Sequence, residues 1–138
     1  MGVSLQTLQN RRTVVLQGMS NSRQRILDLE GRLSRLQQAS DTLNGQIGDL
    51  TNIKNKVNNL QIDDNMWKGE EKSKFDDHYD QYKTITANYI KKTETAKNDI
   101  DEEITRTKTN LSYAETGLAN LKQTLRSLDT QIRLAEKE

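Results

Sequence analysis

The sequence predicts an all-α protein: a long antiparallel two-helix hairpin, packed like a coiled coil, that completes a four-helix bundle with a partner. Two observations support this. The 138 residues contain no proline, which inside a helix costs about 3 kcal/mol. Only 32% are hydrophobic, and these recur at alternating spacings of three and four. We therefore predict one hairpin domain over 1–138, with helices over about 4–62 and 70–136 and a turn over about 63–69.

The first predicted helix carries a narrow apolar stripe. Its members are Leu5, Leu8, Val15, Met19, Ile26, Leu29, Leu33, Leu36, Leu43, Ile47 and Leu50. Polar residues interrupt the stripe at Arg12, Ser22 and Ser40. After Leu50 the stripe continues as Ile53, Val57 and Leu60 with a three-residue offset, which predicts local overwinding of the helix pair. Because glycine weakens a helix, we also expect a bend or a soft point around residues 44–48.

The turn and the second helix follow from capping chemistry and a second stripe. Residues 63–65, Asp-Asp-Asn, are typical of a helix end and turn, and Glu70 and Glu71 suit a helix N-terminus. The second stripe consists of Phe75, Tyr82, Ile85, Tyr89, Ala96, Ile100, Ile104, Leu111, Ala114, Leu118, Leu121, Leu125, Leu128 and Ile132. Its spacing predicts a one-residue shift between Ala96 and Ile104.

Antiparallel pairing about the predicted turn places position i near position 133 minus i. This register brings the acidic residues of 99–103 beside Arg32 and Arg35. Two facing stripes bury only a thin seam, and several apolar residues lie off it: Val3, Val14, Leu16, Leu27, Ile90 and Leu134. We therefore expect a second hairpin to cover them. The predicted partner-binding seam consists of Ile26, Leu29, Leu33, Leu36, Leu43, Leu111, Leu118, Leu121, Leu125 and Leu128.

Several function classes are disfavoured by composition. The chain has no cysteine, and its net charge of +1 argues against a nucleic-acid binder recruited by bulk charge. No apolar run approaches the length of a membrane span, so we expect no stable membrane insertion. His78, the single histidine, is a poor metal ligand alone, and no nucleophile has a base in its sequence context. We expect no enzymatic activity, no cofactor and no metal.

The turn also resembles a known motif. Trp67-Lys68-Gly69 lies between the two helices, with Phe75 and Tyr82 following at helical spacing. From residue chemistry alone, Trp67 could simply plug the end of the seam while Gly69 supplies a turn conformation. The stretch nevertheless resembles the W-x-G motif of the WXG, or early-secreted-antigen-like, helical-hairpin family of type VII secretion. The chain is longer than typical members and lacks their Y-x-x-x-[DE] tail, and in this it is similar to the small partners of LXG-type toxins in Gram-positive bacteria.

The resemblance implies a non-enzymatic, chaperone-like targeting adaptor that binds the helical N-terminal domain of such a toxin. Trp67, Gly69 and Phe75 would then form a recognition motif that contributes to an export signal. A second small helical protein, or a second copy of the chain, would be a further partner. The expected location is the cytoplasm before export, with secretion that needs no cleaved signal peptide. The alternative is a structural, self-assembling coiled-coil scaffold or tether with no secretion role, in which the turn is only a turn.

Overall fold

The predicted all-α hairpin is confirmed by a computed structural model, which describes residues 3–59 and 70–138. Helix α1 runs over Leu5–Asn58 and helix α2 over Glu70–Glu136, and the two helices pack against each other. The sequence predicts α1 over about 4–62 and α2 over about 70–136, and residues 60–62 lie outside the described residues. The predicted turn, with Trp67 and Gly69, lies outside the described residues.

Helix α1 begins with a side-chain cap. The Ser4 hydroxyl oxygen accepts a hydrogen bond from the backbone N–H of Thr7 (3.2 Å), which satisfies a donor that has no partner within the helix. The helix then continues without interruption through Gly45 and Gly48, so the expected soft point is not a break in the helix.

The contact between the helices follows an unbroken heptad, whose positions a and d we call the seam. In α1 the seam alternates by three and four from Leu5 to Val57, and all of its positions except Lys54 are buried or half-buried. The predicted offset after Leu50 is therefore wrong: Val57 stays on the seam, whereas Ile53 is 44% exposed.

In α2 the seam alternates in the same way from Tyr79 to Ala135, through Lys83, Thr86 and Ile90. The predicted stripe is wrong in the first part of this helix, because Tyr82, Ile85, Tyr89 and Ala96 are exposed. The predicted shift between Ala96 and Ile104 is absent as well. Ile90, which was expected off the seam, lies on it and is half-buried. The heptad of the leucine-rich C-terminal part of α2 continues without a shift into the aromatic N-terminal part of the same helix.

The chain forms two compact units. The terminal unit comprises Met1–Arg35 and Ile104–Glu138. Among its described residues, the buried apolar side chains are Leu8, Met19 and Leu128, and Thr107 is also buried. The helices approach closely at Gly18, where an added Cβ would lie 3.4 Å from a Leu121 methyl group. Arg12 Nε donates to Asp129 Oδ1 across the helices at 2.8 Å.

The central unit comprises Leu36–Glu103. Its buried side chains among the described residues are Ser40 and Thr86, both polar. The Ser40 hydroxyl donates to Asp101 Oδ1 at 2.6 Å, and Lys97 Nζ donates to Asp101 Oδ2 at 2.7 Å. A hydrogen-bonded network thus replaces apolar packing at this level of the seam.

The register differs from the predicted one. Arg12 lies opposite Asp129 and Ser40 opposite Asp101, so in each unit position i lies near position 141 minus i. The predicted offset of 133 is wrong by about one heptad. A shift of one heptad still matches apolar seam positions with apolar ones, so the stripes alone do not select the register. The seam residues Arg12 and Ser40 favour this register, because it gives their side chains Asp129 and Asp101 as hydrogen-bonding partners.

Candidate partner-binding surface

The ten residues of the predicted partner-binding seam all occupy positions a or d. Ile26, Leu29, Leu33, Leu36, Leu43, Leu111, Leu118, Leu121 and Leu125 are half-buried, and Leu128 is buried. They share these heptad positions with Arg12 and Ser40, whose side chains bond across the helices. The structure therefore places these residues in the contact between the two helices of the hairpin. A role in binding a second protein stays a prediction.

Of the predicted turn motif, the structure describes Phe75. This half-buried ring stacks on Tyr79, with ring centroids 5.7 Å apart and an interplanar angle of 18°. The Nζ of Lys83 lies 4.2 Å from the centre of the Tyr79 ring on the seam, a cation–π contact. The Tyr79 hydroxyl donates to the carbonyl of Val57, in the last turn of α1. Tyr79 thereby satisfies a helix-end acceptor that has no partner within α1.

The exposed apolar residues are distributed unevenly around the heptad. Positions c and g adjoin d on one side of a helix, and positions b and e adjoin a on the other. Seven large exposed apolar side chains occupy c or g: Val14, Ile53, Tyr82, Ile85, Tyr89, Tyr113 and Leu134. Among the described residues of both helices, Leu16 and Leu27 are their counterparts at b or e. We call the c and g positions the apolar side.

In the central unit the apolar side forms a groove between the two helices. Ile53 of α1 and Tyr82, Ile85 and Tyr89 of α2 line about 230 Å³, with the seam residues Leu50 and Thr86 at its base. Tyr82, Ile85 and Tyr89 are 56–62% exposed, which leaves most of each side chain uncovered. These three residues stand at i, i+3 and i+7, the spacing at which a helix presents apolar side chains on one face to a binding partner.

The terminal unit has a larger groove on its own apolar side. About 520 Å³ is lined by Val14, Val15 and Leu128 together with short polar side chains and Arg11. A second groove of about 280 Å³ lies against Val3, Leu8 and Leu134. As predicted, Val3, Val14, Leu16, Leu27 and Leu134 are exposed. Both units therefore present uncovered apolar surface at positions c and g.

Two contacts across the helices, Arg12 with Asp129 and Ser40 with Asp101, lie on the other side. Asp129 and Asp101 occupy position e, next to Arg12 and Ser40 at position a. The hydrogen bond from Lys97, helped by the one from Ser40, holds the pKa of Asp101 below its usual value. Asp101 and Asp129 at position e thus have polar partners within the hairpin, whereas the seven large apolar side chains at positions c and g are open to solvent.

The sequence prediction missed Tyr82, Ile85 and Tyr89 as surface residues because it assigned them to the seam. Extending the heptad backward from Leu128 in alternating steps would have found them, since that heptad reaches Thr86 and Lys83. Thr86 and Lys83 are polar or charged, so hydrophobicity alone favours the apolar stripe beside them as the seam.

Among the described residues, no helical segment is long and apolar enough to cross a membrane.

Fold and surface together define a class: a long two-helix protein with a thin seam and one apolar side left uncovered. Within that class, a family model described as YwqH-like matches residues 10–130, and the chain belongs to the YwqH-like family. No curated protein and no solved structure gives a significant match to the chain.

Proposed function

We propose that the protein is a non-enzymatic partner and targeting adaptor of an LXG-type toxin exported by type VII secretion. The observation that carries the proposal is membership of the YwqH-like family over 10–130, a family associated with LXG-toxin partner systems. The adaptor would bind the helical N-terminal domain of the toxin in the cytoplasm and travel with it to the secretion machinery.

The uncovered apolar side supports a binding role. A side chain such as Leu or Ile contributes about 1.5–3 kcal/mol when it moves from full exposure to full burial. The seven large apolar residues of the apolar side are 44–71% exposed, so burial of each would contribute part of that amount. Solvent-exposed apolar residues grouped on one side of a helix pair are typical of interaction surfaces. The toxin domain is itself helical in this proposal, so its helices would complete the bundle that two helices alone leave open.

The toxin's N-terminal domain, co-expressed with this chain, tests the proposal directly. The wild-type protein should co-purify with that domain in a defined stoichiometry. Ile85→Asp, on the apolar side, should reduce the co-purified amount at least about tenfold, since it places a charge in the buried interface. Leu27→Asp is the matched control, because Leu27 and Ile85 are both 62% exposed but lie on different sides. Absence of any complex with the wild-type chain would contradict the proposal.

The resemblance of the turn to the W-x-G motif extends the proposal to export. Trp67→Ala should leave helicity nearly unchanged and abolish export of the toxin, as measured by its level in the culture medium against the cell fraction. Export at the wild-type level would remove Trp67 from the export signal. The substitution Leu27→Ala, at a position 62% exposed off the apolar side, provides a comparison for the loss of an exposed large apolar side chain.

A structural scaffold or tether is the second candidate, because the same apolar side could be covered entirely by further copies of this chain. It predicts a homo-oligomer that excludes the toxin domain. A complex containing both proteins favours the adaptor.

A further inference from the structure

The apolar side of the terminal unit is also its more basic side. Every charged side chain of this unit lies in the described part of the chain. Within its helices, positions b and e hold five basic and four acidic residues, a net charge of +1. Positions c and g hold five basic residues and one acidic residue, a net charge of +4: Arg11, Arg25, Arg32, Arg35, Arg106 and Asp28. Positive charge is therefore concentrated beside the exposed apolar residues of this unit.

The arginines follow one edge of the seam. The g positions of both helices adjoin the seam on the apolar side. In α1 these positions of the terminal unit are Arg11, Gly18, Arg25 and Arg32. In α2 they are uncharged: Asn110, Gly117, Thr124 and Gln131. A helix lying along this side would meet guanidinium groups along α1 and uncharged groups along α2.

Arg11 also belongs to the larger groove of this unit. It lines the volume of about 520 Å³ together with Val14, Val15 and Leu128. On α1 the lining residues fall within 7–15, a length of about 12 Å or two helical turns. Two turns of a partner helix present apolar side chains at i, i+3 or i+4 and i+7 to such a groove. The groove and the arginine beside it thus fit an amphipathic helix.

We propose that the toxin helix bound on the apolar side of the terminal unit is an acidic amphipathic helix. Its apolar side chains would cover Val14 in the groove, and carboxylates flanking them would bond Arg11 and Arg25. These arginines are 14 positions apart, so the partner helix would lie along α1 for about four turns. The inference rests on the proposed adaptor function and specifies the chemistry of the segment that the terminal unit recognises.

Charge supplies the selectivity of this contact. The planar guanidinium of arginine bonds a carboxylate through two parallel hydrogen bonds. An isolated exposed ion pair contributes little, but salt and water screen it less once a partner covers the apolar residues beside it. A net charge of +4 also attracts acidic partners and disfavours basic ones. Burial of apolar surface would supply the attraction, and the arginines would select the partner.

Two synthetic helical peptides of about 20 residues, titrated with the purified full-length chain, test the inference. Both carry leucine at i, i+3 and i+7 on one face, and they differ only in glutamate or lysine at the flanking positions. In fluorescence anisotropy at about 50 mM salt, the glutamate peptide should bind at least about tenfold more tightly. This preference should decrease several-fold at about 500 mM salt, since ions screen the attraction. Equal binding of the two peptides, tighter binding of the lysine peptide, or binding of neither would overturn the inference.

Charge-reversal variants identify the edge that is used. Arg11→Glu and Arg25→Glu should each reduce the preference for the glutamate peptide at least about threefold. Arg23→Glu is the matched control, because Arg23 and Arg25 are both exposed arginines of α1 but lie on different sides. Circular dichroism verifies that the three variants stay helical. An equal effect of Arg23→Glu would show that net charge, and not this row of arginines, attracts the peptide, and would overturn the inference.

Co-purification with the toxin domain tests the adaptor function separately. A toxin complex that forms with the wild-type chain, and is weakened by Arg11→Glu and Arg25→Glu but not by Arg23→Glu, supports both proposals. A complex that none of these variants weakens would refute the acidic-helix inference and leave the adaptor function intact. Discrimination between the peptides without any toxin complex would contradict the adaptor function and keep the acidic-helix site.

Discussion

The terminal and central units differ in where they place their apolar residues. In the terminal unit the seam holds buried Leu8, Met19 and Leu128. In the central unit, the buried side chains among the described residues are Ser40 and Thr86, while Tyr82, Ile85 and Tyr89 lie outside the seam. The terminal unit therefore buries apolar side chains in its seam, whereas the buried side chains described in the central unit are polar. Both units also expose large apolar side chains outside the seam, six among the described residues of the terminal unit and four among those of the central unit.

The largest difference should appear on truncating a buried seam leucine. Leu128→Ala in the terminal unit should lower the free energy of unfolding by roughly 2–5 kcal/mol, since it leaves a cavity in the seam. Ile85→Ala in the central unit should change it by less than about 0.5 kcal/mol, because its side chain is already 62% exposed. Urea denaturation followed by circular dichroism measures both. Equal losses would show that the two units use their apolar residues alike.

In the central unit, the Tyr79 hydroxyl should make a measurable contribution to stability. Tyr79→Phe keeps the stacking on Phe75 but removes the hydrogen bond to the Val57 carbonyl. We expect a loss of about 1 kcal/mol in the same denaturation experiment, the typical net contribution of one hydrogen bond. Tyr113→Phe is the control, because Tyr113 is 71% exposed. If both variants lose the same stability, the Tyr79 hydroxyl does not anchor the end of α1.

Replacement of either of two glycines in the central unit should increase stability. An added Cβ at Gly45 or Gly48 would meet no atom within 4 Å outside the local helix backbone. Gly45→Ala and Gly48→Ala should therefore each raise the free energy of unfolding by about 0.5–1 kcal/mol through improved helix propensity. A decrease would point to a requirement for flexibility or a bend at this part of α1.

The smallest expected effect concerns the Ser40–Asp101–Lys97 network. Because its bonds lower the folded-state pKa of Asp101, this carboxylate contributes stability above its unfolded pKa of about 3.9. The contribution disappears as the pH falls through the folded-state pKa. Asp101→Asn should therefore destabilise the protein at pH 7 and approach the wild-type stability in strong acid. Asp41→Asn, which removes an exposed carboxylate next to Ser40, is the control substitution in the same denaturation series. A pH-independent difference for Asp101→Asn would exclude this role.

Spacing and composition are enough to predict an all-α hairpin, because the absence of proline and the alternation of three and four leave few other folds. The exposure of Val14, Leu27 and Leu134 is predictable for the same reason, since a two-helix seam has no room for them. The register is not predictable in this way, as a shift of one heptad preserves the match between the stripes.

Two sets of residues in the first half of α2 have the spacing of a seam. The set that is not used as the seam forms the candidate binding surface. Tyr82, Ile85 and Tyr89 have the more apolar pattern, yet the seam passes through Tyr79, Lys83 and Thr86. Hydrophobicity read along one helix favours the first stripe. The second is selected because a continuous helix carries the heptad of its leucine-rich end through to the other end, and because Ser40 and Asp101 bond across the seam in that register. Local residue chemistry thus accounts for the helices and their apolar content, and the pairing of the two helices determines which apolar residues stay outside.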